Sequence, residues 1–129
     1  AADYFWSISQ GFGPHTREQW LELSRPMIKP EGSRFVVHYD PRIAEPFNAV
    51  TPEAAAAGEA MLWSLYDRID AHTLLIRGEL SDLLSPETAQ QMTQRGPKPR
   101  LVTVEGVGHA PMFVQPEQIE RVRAFLRES

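Results

Sequence analysis

Apolar and polar positions follow two different rhythms along this chain. In the second half, Thr73–Arg77 (TLLIR) is a compact apolar run ending at Gly78, the pattern of a strand buried in a parallel sheet. Arg100–Val104 (RLVTV) reads as a second strand. Between them Ser85 caps a helix, with Pro86 at its first position, Glu87 in its first turn and Ala89 and Met92 on its inner face. Gly96-Pro97-Lys98-Pro99 ends that helix. Gln115-Pro116-Glu117 opens a last helix, in which Ile119, Val122, Phe125 and Leu126 recur at helical spacing. Strand, loop, helix, strand, loop, helix over residues 70–129 predicts parallel strands with helices on the sheet faces.

The first half does not continue this alternation. Thr16–Met27 reads as a helix capped by Thr16, with Trp20, Leu21 and Leu23 as apolar surface. Arg34–Tyr39 (RFVVHY) is β-branched and aromatic and predicts a short strand, followed by an irregular or short helical link, DPRIAEPF. Thr51 caps a helix near Pro52–Gly58, and a further helical turn follows through Met61–Arg68. Eleven prolines punctuate the chain, and no internal repeat is visible.

Composition narrows the function classes. The 129 residues are enough for one domain of ordinary size, and 42% hydrophobic with 23% charged residues is a soluble globular balance. No run of 18 apolar residues offers a membrane span. The N-terminus has no signal-peptide architecture, but the chain does not begin with Met, so a processed product, a cleaved product and a fragment all fit. A net charge of −4 with scattered basic residues argues against nucleic acid as a partner. Cysteine is absent, which removes disulfides, thiolate nucleophiles and thiolate metal sites. That is compatible with a reducing compartment, and a cytoplasmic location is the expectation.

Ligands bind open α/β sheets at the carboxyl ends of the strands. Two loops leave such ends here, Gly78–Ser85 (GELSDLLS) and Glu105–Pro111 (EGVGHAP). Each holds one residue suited to proton chemistry, Asp82 and His109, 27 positions apart. A neutral histidine that accepts a proton must be fixed in one tautomer, and a carboxylate on its other nitrogen does this and stabilises the imidazolium. Adjacent strands lie about 5 Å apart, so loops from their tips can bring such a pair together. Asp82 is also a default turn residue, and Glu79 is a rival acid closer to the strand end. His15, His38 and His72 read as structural or exposed; they show no metal-ligand spacing, and no metal is expected. Gly11-Phe12-Gly13 lacks the setting of a phosphate loop.

The string TLLIRGELSDLLSPE, followed by VEGVGHAPMFVQPEQI and a final amphipathic helix, resembles the C-terminal part of an α/β-hydrolase-fold enzyme. The resemblance is strongest over residues 60–129. It implies that Asp82 is the triad acid after the penultimate strand and His109 the base in a G-H-x-P-like turn after the last. It also implies an architecture: the C-terminal portion of an α/β-hydrolase parallel sheet (residues 63–129) with a mostly helical cap segment (residues 1–62). The chain departs from the family in having His72 where members often carry Pro. The larger departure is the lack of a G-x-S-x-G nucleophile elbow; Ser7, Ser9, Ser24, Ser33 and Ser64 have no strand–turn–helix setting. Nucleophile and oxyanion hole are therefore expected outside this chain, in an N-terminal half.

The resemblance to caps also makes Trp6, Trp20 and Trp63, with Met112 after the histidine turn, candidate substrate-binding residues. Ordinary packing is the alternative for each. The expected activity is hydrolysis of an ester, or of a related acyl or carbon–carbon substrate with a small-to-medium apolar body. No cofactor is expected, and the isolated chain is expected to lack turnover. Two other readings stay open. One is a dehalogenase-like or perhydrolase reaction on the same scaffold. The other is a non-catalytic binding or interaction module, whose two strands would leave an open edge suited to a second copy or another chain.

Overall fold

The computed structural model describes residues 2–128; Ala1 and Ser129, the outer ends of the two expected segments, lie outside the described residues. The chain divides into two compact units. One comprises the stretch ending at Ile8 together with His15–Leu65, and the other Ser9–Pro14 with the residues from Tyr66 onward. The first unit ends at Leu65, and six residues near the N-terminus belong to the second.

In the first unit, helix α1 spans Ala2–Ile8 and helix α2 Arg17–Ser24. A capping box starts α2: Gln19 N–H donates to Thr16 Oγ1 at 3.2 Å, and Thr16 N–H donates to Gln19 Oε1 at 2.9 Å. The helix stops three residues short of the expected Met27, because Pro26 has no N–H to continue it. Residues 25–27 instead form one 3-10 turn, which leads into a hairpin. Strand β1 (Ile28–Glu31) pairs antiparallel with β2 (Arg34–Val37), in register Ile28 with Val37 through Glu31 with Arg34. The segment expected to be mostly helical thus carries a hairpin. Its second strand has the β-branched and aromatic run that announces it; in the first, only Ile28 does, and Lys29-Pro30-Glu31 is held by main-chain pairing and by the ion pair of Glu31 with Arg34 at 2.8 Å.

Asp40 caps the 3-10 segment Pro41–Ala49, its Oδ1 accepting Arg42 N–H at 3.0 Å. Helix α3 then runs unbroken from Pro52 to Tyr66, where the sequence pattern predicts two pieces. Gly58 costs about 1 kcal/mol relative to alanine but keeps its N–H, so flanking alanines carry the helix through it. The core of this unit is small. Trp20, 3% exposed, meets Trp6 edge to face at 5.8 Å, and Phe5 is buried too.

In the second unit β3 (Leu74–Gly78) and β4 (Arg100–Val104) pair in parallel, in register Leu74 with Arg100 through Gly78 with Val104. Helix α4 (Pro86–Met92) is capped by Ser85, whose Oγ accepts Thr88 N–H at 3.0 Å. Helix α5 spans Pro116–Arg127. Ala89 is fully buried, and the His72 and Phe125 rings meet with centroids 4.6 Å apart. Tyr66 donates to the carbonyl of Met92 at 2.9 Å. The neighbouring Asp67 forms a two-pronged ion pair with Arg95, in which Nε donates to Oδ1 at 2.7 Å and Nη2 to Oδ2. No helix among the described residues is long and apolar enough to cross a membrane.

The hydrogen bond from Arg95 holds the Asp67 carboxyl below the usual carboxylate range. A lowered folded-state pKa stabilises the fold above the ordinary carboxylate value, and that contribution is lost as pH falls through the lowered one. Asp67→Asn should therefore flatten the acid limb of the stability curve while changing little in the titration of the other carboxylates. Urea midpoints measured from neutral to acid pH check this.

Candidate active site

The two candidate loops leave the carboxyl tips of β3 and β4, which are neighbours, so both emerge on the same side of the sheet. They are stitched together by main chain. Glu79 N–H donates to Val104 O at 2.9 Å, and Leu80 N–H to Val107 O at 2.9 Å. The Glu79 carboxylate accepts Gly106 N–H at 2.9 Å. The rival acid is thus committed to bracing the histidine loop.

Close backbone contact dictates where that loop runs. A Cβ at Gly78 would lie 2.0 Å from Gly108 O and 2.5 Å from Val107 O. One at Gly108 would lie 2.2 Å from Gly11 O, the atom that accepts Gly108 N–H at 2.6 Å. Gly11 belongs to the short N-terminal stretch of this same unit, and Gln115 Nε2 donates to Pro14 O at 3.1 Å in that stretch. The Gly11-Phe12-Gly13 stretch, discounted above as a phosphate loop, acts as a backbone support for the histidine turn.

Beneath the other loop lies Arg77, 6% exposed. Its Nε donates to Leu84 O at 2.7 Å, Nη1 to Glu79 O at 3.1 Å and, weakly, Nη2 to Ser81 O at 3.5 Å. No carboxylate forms an ion pair with it among the described residues. A buried cation needs such compensation, and here loop carbonyls provide it. Its field, after the hydrogen bonds of Glu87 itself and Ser85, also helps lower the Glu87 carboxyl at the start of α4.

His109 is exposed at the end of its turn, and its Nδ1 lies 3.2 Å from Ser81 Oγ. The residue meeting the imidazole is therefore Ser81, the immediate neighbour of Asp82. Asp82 is exposed and makes no hydrogen bond or ion pair among the described residues. The structure brings the acid-bearing loop to His109, but not the carboxylate itself.

Of the aromatic candidates, Trp6 and Trp20 come together. With Asp3, Arg17 and Leu21 they line a cavity of about 90 Å³ in the first unit. The rim carries an Arg17–Asp3 ion pair at 3.2 Å. Trp63 lies on α3, with Nε1 donating to Glu59 Oε1 at 3.3 Å, and does not line that cavity. Met112 is half-buried in the turn after His109. Among the described residues no cluster of histidines and carboxylates could hold a metal ion.

This arrangement of strand tips and loops coincides with a family match over residues 1–122. The chain belongs to the α/β hydrolase family. The match takes in the first sixty residues, where the sequence strings resemble the family less. Among α/β hydrolases of known structure, one from Novosphingobium aromaticivorans is 33% identical with a TM-score of 0.76; the alignment covers all of this chain and 45% of that one. A Rickettsia typhi protein, 24% identical with a TM-score of 0.79, shares the fold; 42% of it is covered. The chain is also 48% identical over 120 residues to a 3-hydroxybutyrate-oligomer hydrolase of Cupriavidus necator, covering 90% of this chain and 41% of that protein. It therefore spans less than half the length of each of these relatives.

Sequence reasoning missed Arg77 and Ser81. An arginine inside an otherwise apolar strand run was the available signal, since such charges are rarely buried without a task. Arg77→Met should lower the unfolding free energy by roughly 3 kcal/mol, because the carbonyls it binds lose a charged donor. Gly108→Ala should cost about 3 kcal/mol through overpacking against Gly11. Chemical denaturation of each variant measures both.

Proposed function

We propose that this chain supplies the acid and base of a serine-dependent ester hydrolase, with Asp82 as acid and His109 as base. The observation that carries this reading is the His109 Nδ1 contact with the loop that holds Asp82, made at adjacent parallel strand tips. In this reading Nε2 of His109 takes the proton of a serine hydroxyl as it attacks the ester carbonyl, then delivers it to the departing alcohol. Asp82 is one residue from the group already at Nδ1, and its carboxylate is uncommitted. From there its charge would stabilise the imidazolium while the Ser81 hydroxyl keeps its place at Nδ1. The serine and the oxyanion-binding amides lie outside these 129 residues. The relatives, more than twice as long, have room for both.

For the substrate we propose a short hydroxyalkanoate-type ester. Support comes from the 48% identity to a protein named for 3-hydroxybutyrate oligomers.

In an enzyme that joins this segment to a serine elbow, His109→Ala should lower kcat by about 10⁴-fold, and Asp82→Asn by a similar factor. Glu79→Gln should act mainly on stability. This chain by itself should not turn over p-nitrophenyl butyrate. Turnover by the isolated chain that vanishes in His109→Ala would sink the proposal, and so would full activity in Asp82→Asn.

A further inference from the structure

We propose that Ser81 is a positioning residue for His109, its hydroxyl holding the imidazole by Nδ1 so that Nε2 is the nitrogen available for proton transfer. The role in catalysis rests on the reading of His109 as the base; the ring contact itself does not.

Ser81 is fixed through three of its polar groups. Its N–H donates to Gly78 O at 3.1 Å, its carbonyl takes the long 3.5 Å contact from Arg77, and its Oγ accepts Leu84 N–H at 3.0 Å. The Leu84 N–H bond draws the hydroxyl oxygen onto its own loop, and the Gly78 contact ties that loop's backbone to β3. A hydroxyl has one proton and two lone pairs. Leu84 N–H occupies one lone pair. The other lone pair can accept from Nδ1–H, the nitrogen 3.2 Å away. That arrangement leaves Nε2 bare and basic, the tautomer a general base requires. Protonation of Nε2 does not break the bond. It makes the Nδ1–H donor charged, and charge-assisted hydrogen bonds are the stronger ones. A single hydroxyl thus suits both protonation states of the ring. Nε2 has no partner among the described residues.

Long-range proton–nitrogen spectra of this chain resolve the two ring nitrogens of each histidine. His109 should show mainly the Nδ1–H form. Ser81→Thr, which keeps the hydroxyl, should preserve it. Ser81→Ala and Ser81→Cys should move the tautomer ratio toward Nε2–H by about threefold or more, the scale of a weak hydrogen bond. His15, His38 and His72 serve as internal references for an unchanged fold, and the cysteine variant covers the case in which alanine unfolds the loop. A His109 spectrum identical in all three variants overturns the contact. In an enzyme joined to its serine elbow, Ser81→Ala should lower kcat about tenfold with KM nearly unchanged, and Ser81→Thr should restore it. An unchanged kcat overturns the positioning role even if the ring spectrum moves. Because the spectra need no turnover, loss of the hydrolase reading would leave them interpretable.

Discussion

Two stretches of backbone meet at Gly78 with no room for a side chain between them, and the rest of the site follows from that contact. Carbonyl oxygens of Val107 and Gly108 occupy the space a Cβ would fill. The histidine loop is thereby pressed onto the end of β3, within reach of Glu79 and Leu80. Side-chain contacts could be exchanged for others of similar size. Peptide planes packed this closely leave almost no freedom, so the turn that presents His109 inherits the rigidity of the sheet.

The second constraint is electrostatic. Arg77 is a buried cation whose positive charge is met by carbonyl dipoles rather than by a carboxylate. Such a cation ties three points of the acid-bearing loop to one rigid fork. The loop can present an exposed, uncommitted Asp82 because its backbone is held from below. Anchored backbone with free functional side chains is a familiar division of labour in sites built on loops.

Much of this was legible in the chain itself. The strands TLLIR and RLVTV, the caps at Thr16 and Ser85, and the two loops at the strand tips announce themselves through local chemistry: apolar runs, prolines at first helical turns, and glycines beside a histidine. What stayed hidden depends on pairs of residues distant in sequence. Strand β1 carries Lys, Pro and Glu after Ile28, a poor strand composition, and pairs with β2. Local pattern favoured a break at Gly58, where context kept one helix. At the site, the spacing of Asp82 and His109 predicts two neighbouring loops, and those loops meet through Ser81 Oγ and His109 Nδ1. Which side chain meets Nδ1 turned on the orientation of one residue within a bend, and no periodicity encodes that.

The support of Gly108 by Gly11 ties the histidine turn to a residue 97 positions earlier (108 − 11). Closing a loop of that length costs about 4 kcal/mol of chain entropy. Contacts of such sequence separation are slow to form, because the closure entropy is spent before the contact rewards it. The shape of the His109 turn thus rests on a contact that no single element of the fold can make alone.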